Sequence, residues 1–262
     1  MFFLLMSKRS NLLCLGTTIF TLMLFFAISL HNPIQAVITH IGQQQIITKN
    51  SLLPIVDYET EVTTSKSKQR LEKSSHFRNN CSPNNGPIKE FPGDDGPLPL
   101  AAHDFNGLPA LPIEQSDAIV LGIVGSGAAH LSDDRTGIYS EYSLVVSEIL
   151  KDKTKALVPG PLAVNRLGGA VRFKSGKIQR CKILLHGVPQ TGLEYALFLR
   201  QTEAGDLIII TGYELSNSRI TPLDGDPGED PRSRLPFAQY EGAERKNFLR
   251  DLRSAVKKDG GD

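Results

Sequence analysis

The chain has 262 residues, with 29 Lys+Arg against 28 Asp+Glu and 40% hydrophobic residues. At about 150 residues per domain that length allows one or two domains, and near-zero net charge argues against a generic nucleic-acid binder. No three- or seven-residue period runs through it, which excludes collagen-like and coiled-coil chains. A single apolar stretch excludes a polytopic membrane protein.

Lys8 and Arg9 precede a charge-free run over 12–30, LLCLGTTIFTLMLFFAISL. A basic start, an apolar run and small residues beyond it make an export signal, with Met1 or Met6 as the first residue. Cleavage fits after Ser29 or Ala36, and an uncleaved run of this length would anchor the chain in a membrane. Positive charge before the run, and none after it until Lys49, sends the remainder across in either case. Residues 1–36 are therefore expected to be a signal peptide or membrane anchor. The remainder is expected to be extracytoplasmic: secreted, periplasmic, or anchored with its C-terminal domain outside. Cys14 lies in the apolar run, which leaves Cys81 and Cys181 in an oxidising compartment. A bridge between them would close a loop of about 100 residues, worth at most about 4.7 kcal/mol; two unpaired thiols are the alternative.

Residues 37–107 read as a low-order linker. The stretch TTSKSKQRLEKSSHFRNN has too few apolar residues to offset its ordering entropy. Seven of the sixteen prolines fall between Pro83 and Pro112, which favours an extended chain.

From residue 108 onward the pattern changes to short strands. They are expected at 117–124, with Gly125 to Gly127 loosening its end, and at 138–150 with a bulge near Ser147. Further strands follow at 161–167, 170–173, 178–185, 194–200 and 207–214, with a short one at 219–223. Gly168 and Gly169 mark a kink or a close backbone approach. Short strands parted by Gly, Pro and Asp turns predict a mainly β domain over 108–224, a small antiparallel barrel or sandwich. Residues 225–262 hold an acidic loop and then a helix over 237–256. Tyr240, Phe248, Leu249, Leu252 and Val256 share the helix face that packs on the barrel.

Several phrases carry a resemblance: SDAIVLG, TGIYSEYSLVVSEILK, RLGGAVRFKSG, EYALFL, TGYEL and ITPLD, with the closing FLRDLRSAV. They resemble a group of uncharacterised bacterial exported proteins over about residues 108–257. The strand pattern is also distantly similar to netrin and tissue-inhibitor-of-metalloproteinase barrels, which implies an OB-like five-stranded barrel. Those inhibitors bind zinc through a cysteine at the mature N-terminus. No cysteine here stands at either cleavage position, so the resemblance carries no inhibitor role.

Ser126 with His130 and Asp133 or Asp134 offers the residue types of a hydrolase, without a Gly-x-Ser-x-Gly elbow. The six histidines show no i, i+4 pair and there is no Cys-x-x-Cys, so no metal or other cofactor is expected. Asp224, Asp226, Glu229 and Asp230 form an acidic loop without EF-hand spacing. Between Asp152 and Glu194 the chain has eight basic residues and no acidic one. A hairpin turning on Ser175 and Gly176 would set Lys174 opposite Lys177, with Arg172 and Gln179 on the same face. Like charges opposed on a sheet repel, which nominates Arg172, Lys174 and Lys177 as a site for an anionic partner. Edge protection by lysine is the plain alternative.

These readings converge on a non-catalytic binding or structural module of the cell envelope. The alternatives are an extracytoplasmic hydrolase, or an anionic-polymer binder using the basic hairpin 172–182. The expected partner is a protein or an anionic envelope polymer, with the membrane added if the N-terminal segment stays uncleaved. Nucleic acid is disfavoured, because stacking aromatics are sparse.

Overall fold

The computed structural model describes residues 53–63, 68–82, 86–91, 105, 107–216, 218–225 and 236–260. All belong to one compact unit, Ser51–Asp262. The expected signal or anchor, and most of the acidic loop, lie outside the described residues. No described helix is long and apolar enough to cross a membrane.

In chain order the elements are β1 (Ile55–Asp57), α1 (Tyr58–Thr63), α2 (Lys68–Ser75), β2 (Ala118–Leu131), β3 (Ile138–Asp152) and β4 (Gly160–Leu167). Then come β5 (Gly169–Arg172), β6 (Ile178–Cys181), β7 (Glu194–Gln201), β8 (Leu207–Glu214), β9 (Thr221–Pro222), a 3-10 turn at Pro236–Tyr240, and α3 (Arg245–Asp259). The large sheet runs β4-β3-β2-β7-β8-β9, and a parallel bridge from Asn165 in β4 to Ile208 in β8 closes five of its strands into a ring. This is the OB-like barrel with a C-terminal helix.

The apolar run of β2 follows from its position. Val120 and Val124 point into the barrel with Leu144, Val164, Leu197 and Ile209. Ile119 and Leu121 point outward, yet are covered by Phe248 and Leu252 of α3 together with Phe198 and Tyr213. With both faces dry, alternation disappears from the sequence. β3 keeps its alternation in its middle, where its outer face is wet: Val145 is 56% exposed.

Two details differ from expectation and one agrees. β2 does not end at Gly125 to Gly127 but continues to Leu131, pairing with β3 throughout. The helix over 237–256 is broken, because residues 242–244 pair instead with Arg219 and Ile220. Gly242 N donates to Ile220 O at 2.8 Å, and Ile220 N donates to Ala243 O at 2.8 Å. The bulge does fall at Ser147, which is skipped between the pairs Leu121–Glu148 and Gly122–Val146.

The largest correction concerns the linker. The described parts of 53–91 form a strap across the outer end of the β2–β3 hairpin. β1 lies parallel to β5, Phe77 stacks on Tyr139 with ring centres 4.2 Å apart, and Val56, Phe77, Cys81 and Ile88 are buried. The carboxamide of Asn80 stands in for a neighbouring strand: it donates to Ile138 O at 2.8 Å and accepts from Ile138 N at 2.9 Å. Gly137 lies so close beneath that a Cβ there would overlap Phe77 O. A disulfide then joins Cys81 to Cys181 of β6, with Cα atoms 5.6 Å apart. Average composition reads such a segment as too polar to fold alone, which is correct, but its few apolar residues dock on a core already built.

At the strap, the Arg78 guanidinium hydrogen-bonds Asp133 and holds its carboxyl below the ordinary carboxylate range. A lowered folded pKa means stability that is present above the unfolded value of about 3.9 and lost as pH falls through the folded value. Arg78→Ala should therefore weaken the protein at pH 6, with the gap to wild type closing toward pH 2 in urea melts. A gap that stays constant down to pH 2 would show the pair contributes nothing. Phe248→Ala should cost about 3–5 kcal/mol, measured the same way, since its ring is 1% exposed between barrel and helix.

Candidate functional site

The basic hairpin exists, but its register differs by one residue from the sequence reading. Arg172 pairs with Ile178 and Val171 with Gln179. The turn takes three residues, because Gly176, at φ 90°, lets its N–H reach Phe173 O while Phe173 N bonds Lys177 O. Lys174 therefore sits in the turn and does not oppose Lys177. Gln179 leaves the charged face and is buried, its carboxamide donating to Lys89 O at 2.9 Å and accepting from Phe91 N at 2.7 Å.

Part of the anion that these cations call for is supplied by the strap. Arg172 Nη1 lies 3.2 Å from Asp57 Oδ1, and Lys177 Nζ lies 3.9 Å from Glu90 Oε1. Ser175 Oγ donates to the same Glu90 oxygen at 2.7 Å. These are half-exposed pairs, each worth about 0–1 kcal/mol, but they cap two of the three nominated residues. Lys174 is exposed.

The hydrolase residues are not assembled. Ser126 and His130 lie on one extended strand four residues apart, a separation of about 13 Å, too far for a nucleophile to hydrogen-bond its base. Asp133 is committed to Arg78. Asp134 closes its own turn, accepting from Ser132 Oγ at 2.7 Å and from Thr136 N at 3.0 Å. Of the acidic loop, Asp224 is described and faces inward, bonded to Arg166 and accepting from Gly187 N at 2.8 Å. Among the described residues no three His, Cys, Asp or Glu side chains gather as a metal site.

Arg166 is the least expected residue. It points from β4 into the barrel mouth, fully buried, where Nε donates to Gly187 O at 2.7 Å and Nη2 pairs with Asp224. Tyr142 and Tyr195 share that interior, and burial pushes both phenols up to about 12. They stay neutral at physiological pH.

A second charged feature was not read from the sequence. Ser218 and Arg219, after β8, face the first turns of α3 across a groove of about 570 Å³. Glu244, Arg245, Lys246, Leu249 and Arg253 complete its lining. Two of its cations are clamped from behind. Arg245 bonds Leu215 O at 2.7 Å and Glu194 at 2.8 Å, and Arg253 holds Glu148 through both Nε at 3.1 Å and Nη2 at 2.7 Å. That contact raises the Arg253 guanidinium above its ordinary pKa. Arg219 bonds a backbone carbonyl, Gly242 O, at 2.8 Å, and Lys246 is exposed. The signal was available in Arg245-Lys246 and Arg253, but their partner Arg219 stands 26 residues before Arg245.

Comparison with known protein families and with curated proteins finds no match.

Arg166→Met strands the Asp224 carboxylate and is expected to cost about 3–5 kcal/mol. The double variant Arg166→Met/Asp224→Leu should cost less than the two single losses added together, because one interaction is being removed twice. Full additivity in denaturant melts would mean that the pair is not coupled.

Proposed function

We propose that this chain is an extracytoplasmic, non-catalytic binding module of the cell envelope, exported by its N-terminal apolar segment or anchored through it. The single observation that carries the reading is the buried Cys81–Cys181 disulfide, which ties the strap to β6 and encloses 100 residues of sequence separation. Structural bridges of this kind persist in oxidising compartments and are rare in the cytosol. The same direction comes from Lys8 and Arg9 ahead of the uncharged run 12–30.

Two features support binding without catalysis. Ser126 and His130 are separated along one strand, and the other acids near them are spent on turns and ion pairs. The stretch of outer β3 nearest the β2–β3 turn, part of the face where OB-type barrels take oligonucleotides, lies under the strap. There Phe77 covers Tyr139 and Lys73 pairs with Glu141. That coverage favours a protein or an envelope polymer over nucleic acid as partner.

The test is thiol labelling of the full chain in the cells that produce it. Cys81 and Cys181 should resist alkylation until a reductant is added, and the protein should leave the cytosolic fraction. Both thiols reacting at once in a cytosolic protein would sink the proposal. A fluorophosphonate probe should leave Ser126 unlabelled, and stoichiometric labelling there would return the chain to the hydrolases.

A further inference from the structure

We infer that the groove between Arg219 and the first turns of α3 is a binding site for a phosphate-bearing anion. This rests on the reading of the domain as a binding module and gives that module a ligand class.

The groove is open to solvent and of ligand volume, about 570 Å³. Its lining has four basic side chains, Arg219, Arg245, Lys246 and Arg253, against one acidic side chain, Glu244. Glu194 and Glu148 pair with Arg245 and Arg253 and fix their heads, offsetting those two charges, so the groove's positive charge rests on Arg219 and Lys246. A cation held by a carboxylate at its back is preorganised for a ligand at its front. Glu244 is itself engaged, its Oε2 accepting from Asn247 Nδ2 at 3.1 Å. Arg219 and Lys246 are then left as the cations without a described carboxylate partner.

Lys246 and Arg219 are the cations whose placement is unfavourable without a ligand. The first turn of α3 carries Arg245 and Lys246 and no acidic residue. Cations there oppose the helix dipole, and they also repel Arg219 across the groove. A bound anion relieves both costs. The donors stand on two walls, Ser218 and Arg219 on one, Lys246 and Arg253 on the other. A tetrahedral phosphoryl group offers oxygens toward both walls at once, whereas a planar carboxylate offers its pair along one direction. Leu249 gives the groove an apolar floor, fit for the organic part of a phosphate ester.

The hairpin is the rival cationic surface, and it differs in kind. It is a convex turn, and Asp57 and Glu90 already meet Arg172 and Lys177.

The experiment is calorimetric titration of the full chain, at low and at physiological salt, with inorganic phosphate, tripolyphosphate and an oligoglutamate of matched charge. Tripolyphosphate should bind, and Arg219→Ala/Lys246→Ala should weaken it about tenfold or more, the loss of charge-assisted contacts. Both side chains are exposed, and the lost Arg219 bond to Gly242 O is set against relieved charge repulsion, so the variant should still fold, which a thermal melt checks. Arg172→Ala/Lys174→Ala/Lys177→Ala should bind as wild type. Measurable binding of inorganic phosphate beside tripolyphosphate would assign the site to a single phosphate ester, and tripolyphosphate alone would assign it to a phosphate polymer. No binding at low salt, equal binding of oligoglutamate, or loss in the hairpin variant with the groove variant intact would each overturn the inference. Thiol labelling reads the compartment and titration reads the groove, so either can fail without the other.

Discussion

The first part of β2, Ala118–Gly122, must be dry on both faces and paired on both edges, and most of the domain is arranged to meet that condition. Its edges are taken by β3 and β7. Its inner face fills the barrel, and its outer face needs a second layer, which α3 and Phe105 provide. The parallel bridge between β4 and β8 closes the ring that keeps water from the inner face. The bulge at Ser147 lets a long, twisted pair stay in contact, with Ser147 Oγ returning a hydrogen bond to Leu121 O at 3.2 Å. A strand in this position cannot alternate, so its sequence is a plain apolar run.

The mouth of the barrel obeys the same demand with polar groups. Arg166 enters an interior that excludes water, so each of its donors must find an acceptor. Gly187 O and Asp224 are brought there by the loops after β6 and β9. The loop 182–193 is thus held across the opening through Gly187, whose O accepts from Arg166 and whose N–H donates to Asp224, and not by apolar packing alone. A buried pair of this kind adds little net stability, but it fixes which loop closes the barrel.

Strand positions, the Ser147 bulge and the apolar face of the last helix were legible because each is a local pattern. The strap was not legible. Its docking depends on Val56, Phe77, Cys81 and Ile88, spaced too widely to show any period, and on Asn80 and Gln179 imitating backbone. The local pattern of the hairpin implies a two-residue turn, and Gly176 at φ 90° makes it three. That single added residue moves Gln179 into the core and Lys174 into the loop, which is why the nominated face came apart. The groove was invisible for a different reason. It is assembled from the end of β8 and the start of α3, joined in space by the Arg219–Glu244 bridge, and no linear pattern announces such a meeting.

The strap has a consequence in time. β1 and Cys81 are made long before their partners β5 and Cys181, which lie about 100 residues downstream. At about 5–20 residues per second of synthesis, that is an interval of about 5–20 seconds. The first part of the domain to emerge thus waits for partners that are made about 100 residues later. Until Cys181 arrives, the sulfur that ends in the core is an accessible thiol on an unfolded leader, open to any other disulfide nearby.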